Sequence, residues 1–249
     1  MSTESDRWLR RFHPAPGAPA RLLCLPHAGG SASYFFPVSK ATHPRVDVLV
    51  AQYPGRQDRR QEPLLESVAD LADGVAAALG AYQDKPLTLF GHSMGASVAF
   101  EVALRLQALG TPVRGVVVSG RRAPSALRDE SSHLLPDDEL LEDVKALGGT
   151  EAALLDDPDI RQMVFPAIRA DYKAAETYRR TDGPRIAAPI TALIGDSDAK
   201  VTEPEARRWA DHTDGDFELE VFTGGHFYIT AHAAAVTARI EKQIGATLD

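Results

Sequence analysis

Short apolar runs alternate with longer amphipathic stretches along most of this 249-residue chain. The apolar runs fall near residues 21–25, 46–51, 87–90, 113–119, 190–194 and 217–222. Each is bounded by glycine, proline or polar residues, and their length and content predict strands. Stretches with apolar positions at helical spacing fall near 67–81, 96–109, 203–211 and 231–246 and predict helices. Strands separated by helices build a mostly parallel sheet covered on both faces, so the pattern predicts one α/β domain over residues 1–249. One stretch departs from the alternation. Between the runs at 113–119 and 190–194 the chain is too long for a single crossover helix. A helix start is legible at Leu135-Pro136-Asp137-Asp138-Glu139, and a second helical run extends from about Pro158 to Tyr178. The expectation is a core of 20–122 and 187–249 with a helical lid at about 123–186, standing over the carboxyl edge of the sheet. Met163, Phe165, Ile168, Tyr172 and Tyr178 are the candidate pocket residues of that lid, with plain packing as the alternative for each.

Composition narrows the class. A hydrophobic content of 44% suffices for one large core. No run approaches the roughly 18 apolar residues of a membrane span. Met1 to Arg11 is polar and charged, without the apolar centre of a signal peptide. The single cysteine, Cys24, lies in a predicted buried strand and reads as core. No Cys/His cluster has metal-ligand spacing and no glycine-rich phosphate loop is present, so no bound cofactor or metal is expected. The net charge of −8 argues against a nucleic-acid partner. A cytoplasmic, monomeric enzyme is the resulting expectation. Two basic clusters run against the average charge, Arg56 with Arg59 and Arg60, and Arg121 with Arg122. Both follow predicted strand ends, where they would ring a site at the sheet's carboxyl edge; a solvated surface is the alternative.

The chemistry centres on Gly91-His92-Ser93-Met94-Gly95. The strand Leu87–Phe90 precedes this G-x-S-x-G and a helix follows it, which is the setting of a nucleophile elbow. Such a turn strains the serine and exposes its hydroxyl. A base and an orienting acid should follow in the order Ser, Asp, His. His226 closes the turn Thr223-Gly224-Gly225 after the last strand and is the candidate base. Asp198 and Asp196 both follow the strand 190–194. Asp198 is preferred because it lies beyond the Gly195 turn, and Asp196 is the alternative. His13, His43, His133, His212 and His232 lie in polar, proline-flanked or helical contexts that suit solvated or structural roles. After the first strong strand, Pro26-His27-Ala28-Gly29-Gly30 resembles an oxyanion loop. Ala28 and Met94 would give the two backbone N–H donors, with His27 shaping the loop or touching substrate.

These segments carry a family resemblance over nearly the whole chain. Leu25-Pro26-His27-Ala28-Gly29-Gly30-Ser31-Ala32, Gln52-Tyr53-Pro54-Gly55-Arg56, the elbow, Gly195-Asp196-Ser197-Asp198 and Gly224-Gly225-His226-Phe227 resemble the external, or type II, thioesterases that accompany modular polyketide and non-ribosomal peptide synthases. The resemblance implies an α/β-hydrolase fold, a Ser93–His226–Asp198 triad and an oxyanion hole from Ala28 and Met94. It also implies hydrolysis of stalled acyl groups from the phosphopantetheine arm of acyl or peptidyl carrier proteins. If those carriers are acidic, Arg56, Arg121 and Arg122 become candidate carrier or substrate contacts. A general esterase acting on oxygen esters shares every catalytic residue, and a non-catalytic relative of the same fold is a further alternative.

Overall fold

The computed structural model describes residues 4–148 and 155–245. Among them a seven-stranded sheet runs in the order β1-β3-β2-β4-β5-β6-β7. Its strands are β1 (Leu9–Arg10), β2 (Ala20–Leu25), β3 (Val46–Ala51), β4 (Leu87–His92), β5 (Gly115–Ser119), β6 (Ile190–Gly195) and β7 (Phe217–Phe222). Every pairing is parallel except that of β1 with β3, where Leu9 lies opposite Ala51. The two-residue β1 was not expected from the sequence, because so short an edge carries no periodic signal.

Side chains along the strands alternate between two cores. Leu23, Leu49, Leu89, Val116 and Val118 face α3 (Val68–Ala78) and α4 (Met94–Ala108), whose Leu71, Val75, Val98 and Phe100 are wholly buried. Leu22, Cys24, Val48, Val50, Phe90 and Val117 pack on the other face against Val236, Ile240 and Ile244 of α9 (Ala233–Gly245). Complete burial also pushes the Cys24 thiol far up, which keeps it protonated and inert. Short α1 (Glu4–Trp8) and α2 (Phe36–Thr42) add to the periphery, the former supplying Trp8 to the first core. Neither was expected, since five and seven residues are too few for helical periodicity to emerge.

Between β5 and β6 stand α5 (Asp137–Ala146) and α6 (Pro158–Thr177). Their apolar faces meet, with Leu155 from the segment before α6, in a separate cluster of Leu140, Leu141, Phe165, Ile168 and Tyr172. Residues 149–154 of the expected lid, and the ends 1–3 and 246–249, lie outside the described residues. The helix expected at 203–211 is a short α7 (Glu203–Arg207) followed by a 3-10 turn, and α8 (Tyr228–Ala231) precedes α9. No helix among the described residues is long and apolar enough to cross a membrane.

Candidate active site

Ser93 stands where β4, near the middle of the sheet, turns into α4, and it takes φ 55° and ψ −121°. A non-glycine residue in that region is strained, and two close approaches hold it there. A Cβ on Gly91 would lie 2.1 Å from the Gly95 carbonyl oxygen, and one on Gly95 would lie 2.0 Å from that of Leu25. Only hydrogen fits at either place. The Ser93 N–H donates to the Ser119 carbonyl at 2.7 Å, which ties the elbow to β5.

The loop after β7 carries His226 to within 2.9 Å of the Ser93 hydroxyl through Nε2. Its Nδ1 lies 2.9 Å and 3.0 Å from the two carboxylate oxygens of Asp198, in the turn after β6. His226 and Asp198 are both buried, and Asp198 also accepts the Lys200 N–H at 2.8 Å. Asp196 points elsewhere: it accepts the Gly224 N–H and the Ser197 hydroxyl, each at 2.9 Å. The Gly224 bond, helped by Ser197, holds its carboxyl below the usual range. Asp196 thus fastens the β6 turn to the His226 loop, while Asp198 meets the imidazole.

The Pro26–Gly30 loop lies beside Ser93. The Gly29 N–H donates to Asp171 at 2.8 Å and the Gly30 N–H to the His27 carbonyl at 3.0 Å. That leaves the N–H of Ala28, which lines the cavity with Ser93. Met94 opens α4, so its N–H is among the donors that no helical carbonyl can reach. His27 packs edge-on against Tyr34 and Phe227, and its buried Nδ1 has no hydrogen-bond partner among the described residues. Burial, with the charges of His226 and Arg56 adding to it, pushes its pKa down to about 3, so the ring is neutral. His92 was not singled out in the sequence, yet its ring lies 5.1 Å from that of His226. Its Nδ1 meets the Ser119 hydroxyl, which meets the Tyr228 hydroxyl, and burial drives its pKa well below the usual imidazole value.

Ser93, His226 and His27 open onto a cavity of about 160 Å³ beneath α5 and α6. Its lining is aliphatic at Val144, Leu147, Leu155, Ile160, Val164 and Ile168 and polar at Arg121, Glu130, Tyr172, Glu176 and Lys200. Of the five candidate pocket residues, Ile168 and Tyr172 line it. Phe165 packs within the lid cluster, Met163 is 59% exposed, and the Tyr178 hydroxyl instead donates to Glu101 at 2.8 Å.

The arginine clusters are corrected by the structure. Arg56, Arg59, Arg121 and Arg122 are buried rather than ringing the mouth, because each is consumed by internal partners. Arg56 grips Asp171 of α6 with two bonds of 2.7 Å and 2.9 Å and also donates to the Gly30 carbonyl at 3.3 Å. Arg59 pairs with Glu62, and Arg122 with Glu130. Arg121 donates to the Ala175 carbonyl; burial, then the neighbouring charge of Arg122, pushes its pKa down to about 10. It is the only one of the four that lines the cavity. Asp171 was missed from the sequence. Its signal was present: a carboxylate on the face of α6 shared by Ile168, Tyr172 and Ala175 must be paired when buried.

Comparison with known proteins agrees with this architecture. Residues 20–244 match the thioesterase domain family. The chain is 50% identical over 231 residues to thioesterase PikA5 of Streptomyces venezuelae, covering 92% of this chain and 82% of that protein. It is 48% identical to a probable cadicidin biosynthesis thioesterase of Streptomyces griseus, covering 96% of this chain and 66% of the relative. Among solved structures, the type II thioesterase BorB from the borrelidin biosynthetic cluster superposes with a TM-score of 0.90 at 49% identity, covering 97% of this chain and 99% of that one. With its elbow, its α/β-hydrolase sheet and these relatives, the chain belongs to the thioesterase family, within the type II thioesterases of polyketide and non-ribosomal peptide biosynthesis.

Proposed function

We propose that this thioesterase removes stalled or aberrant acyl groups from the phosphopantetheine arm of carrier proteins through an acyl-serine. The observation that supports this reading best is the Ser93–His226–Asp198 relay, with 2.9 Å contacts on both sides of the imidazole, at the head of a cavity. Nε2 of His226 takes the hydroxyl proton as Ser93 Oγ bonds to the thioester carbonyl carbon. Asp198 holds the Nδ1–H tautomer and stabilises the imidazolium. The oxyanion forms against the N–H groups of Ala28 and Met94, a donor of this kind being worth about 3 kcal/mol of barrier. Collapse expels the pantetheine sulfur, which the imidazolium protonates. A thiol with a pKa of about 8.5 leaves more readily than an amine, so little acid assistance is needed. Water then attacks the acyl-serine, giving up a proton to His226, and the free acid departs as Ser93 regains its proton. The protein needs no cofactor of its own in this scheme, since the pantetheine arrives with the carrier.

The decisive comparison is one short acyl group presented as a carrier-protein thioester, a small-molecule thioester and an oxygen ester. Fastest turnover of the carrier thioester is expected. Preference for the oxygen ester with no gain from the carrier would refute the carrier reading and leave a general esterase.

A further inference from the structure

The polar part of the cavity lining holds hydrogen-bond donors that have no acceptor among the described residues. Lys200 lines it two residues beyond Asp198. Its ammonium lies 3.6 Å from Asp143 and 3.9 Å from Glu130, close enough to be held by their charge and too far to hydrogen-bond. It stands 5.8 Å from the ring centre of Tyr172. Among the described residues neither the Lys200 ammonium nor the Tyr172 hydroxyl has a hydrogen-bond acceptor. Both groups line the cavity with no such acceptor to hold them, so a ligand atom there can take their hydrogen bonds. The rest of the lining, from Val144 to Ile168, is largely aliphatic and suits a carbon chain.

We propose that Lys200 and Tyr172 form an acyl subsite that accepts a neutral oxygen, a keto or hydroxyl group, carried on the chain beyond the thioester. This rests on the acyl-hydrolase reading above and names the class of acyl group. The charge of the wall argues for neutrality. Glu130 is pushed up by burial, but its bond to Arg122 and the charges of Arg122, Lys200 and Arg121 prevail, so it stays ionised. Glu176 is fixed by the N–H groups of Ser132 and His133 and by the His133 ring. A substrate carboxylate reaching Lys200 would therefore meet fixed carboxylates, whereas a carbonyl or hydroxyl oxygen accepts a hydrogen bond with no like-charge cost. A saturated chain displaces water from the ammonium and offers no acceptor in return, so the site disfavours it.

The test uses N-acetylcysteamine thioesters of an octanoyl chain, of its hydroxy and oxo derivatives, and of the matching half-thioester of a dicarboxylic acid. The wild-type kcat/KM for at least one hydroxy or oxo derivative should exceed that of the saturated chain by about tenfold, the scale of one hydrogen bond to a charged donor. Lys200→Met should bring that ratio to near one, and Lys200→Arg, which keeps the charge and donors, should hold most of it. Tyr172→Phe should lower it in part. Equal turnover of saturated and oxygenated chains, or preference for the dicarboxylic half-thioester, would overturn the subsite. No turnover of any thioester would instead refute the hydrolase reading on which it rests. If Lys200→Met fails to fold, the substrate series on wild-type protein decides alone.

Discussion

At the scale of single residues, Asp196 and Asp198 show how two similar side chains in one turn come to different tasks. Both follow Gly195, whose own Cβ would lie 2.3 Å from the Gly224 carbonyl oxygen. That approach brings the His226 loop against the turn, and the two carboxylates divide the contact between backbone and imidazole. Asp198→Asn should lower kcat by roughly 10⁴-fold, because an amide no longer enforces the Nδ1–H tautomer. Asp196→Asn should retain most activity and lose little stability, because the amide oxygen still accepts the Gly224 N–H. Parallel measurement of kcat and urea unfolding checks both, and a reversed pattern would exchange the two assignments. Ser93, His226 and the pair of aspartates were legible in the sequence because each sits in a glycine-bearing turn at a strand end. The choice between the aspartates was less so, since it depends on how two loops meet. His92 was hidden for the same reason: its relation to His226 exists only once β4 and the β7 loop are neighbours.

At the scale of elements, the bond between α6 and the loop Pro26–Gly30 joins the cover of the cavity to the floor. Asp171 is fully buried, and Arg56 is its only charged partner by ion pairing among the described residues. Asp171→Ala would strand the guanidinium and release the Gly29 N–H, so a loss of about 3–5 kcal/mol is expected. Asp171→Asn, which retains an acceptor oxygen, should lose less. In variants that remain folded, kcat should fall by a similar factor for short and long acyl chains, because the disturbed part is the oxyanion loop. Urea midpoints and a chain-length series of thioesters check this; a loss confined to long chains would contradict it. The sequence marked Tyr53-Pro54-Gly55-Arg56 as distinctive but not what it touches. A basic residue after a strand looks alike whether it faces solvent or a carboxylate 115 positions away. The strands and long helices were legible because their period repeats over enough residues, while β1 and α1 fall below that length.

At the scale of the whole molecule, two buried neutral imidazoles couple stability to acidity. His27 has a folded pKa of about 3, and that of His92 lies well below 6.5. The unfolded chain would protonate both near 6.5, so between that value and about 3 it binds more protons than the folded one. Their contribution is complete above about pH 6.5 and is lost on acidification, with a slope of up to about 1.4 kcal/mol per pH unit for each ring. His27→Phe, which keeps an aromatic ring between Tyr34 and Phe227, should flatten the decline between about pH 6.5 and 5, as read by urea midpoints. An unchanged slope would mean that the buried ring is not the titrating group. The two lid helices also differ in how they are held. α6 is locked to the floor through Asp171, whereas α5 reaches α6 through Leu140, Leu141 and the solvent-facing pairs Asp137–Arg169 and Asp138–Arg161. The cover is thus half masonry and half awning. Room for chains of differing bulk should therefore be found on the α5 side, where fewer ties reach the machinery at Ser93. For a proofreader this separates breadth from rate: what fits and how fast it is cut are adjustable apart.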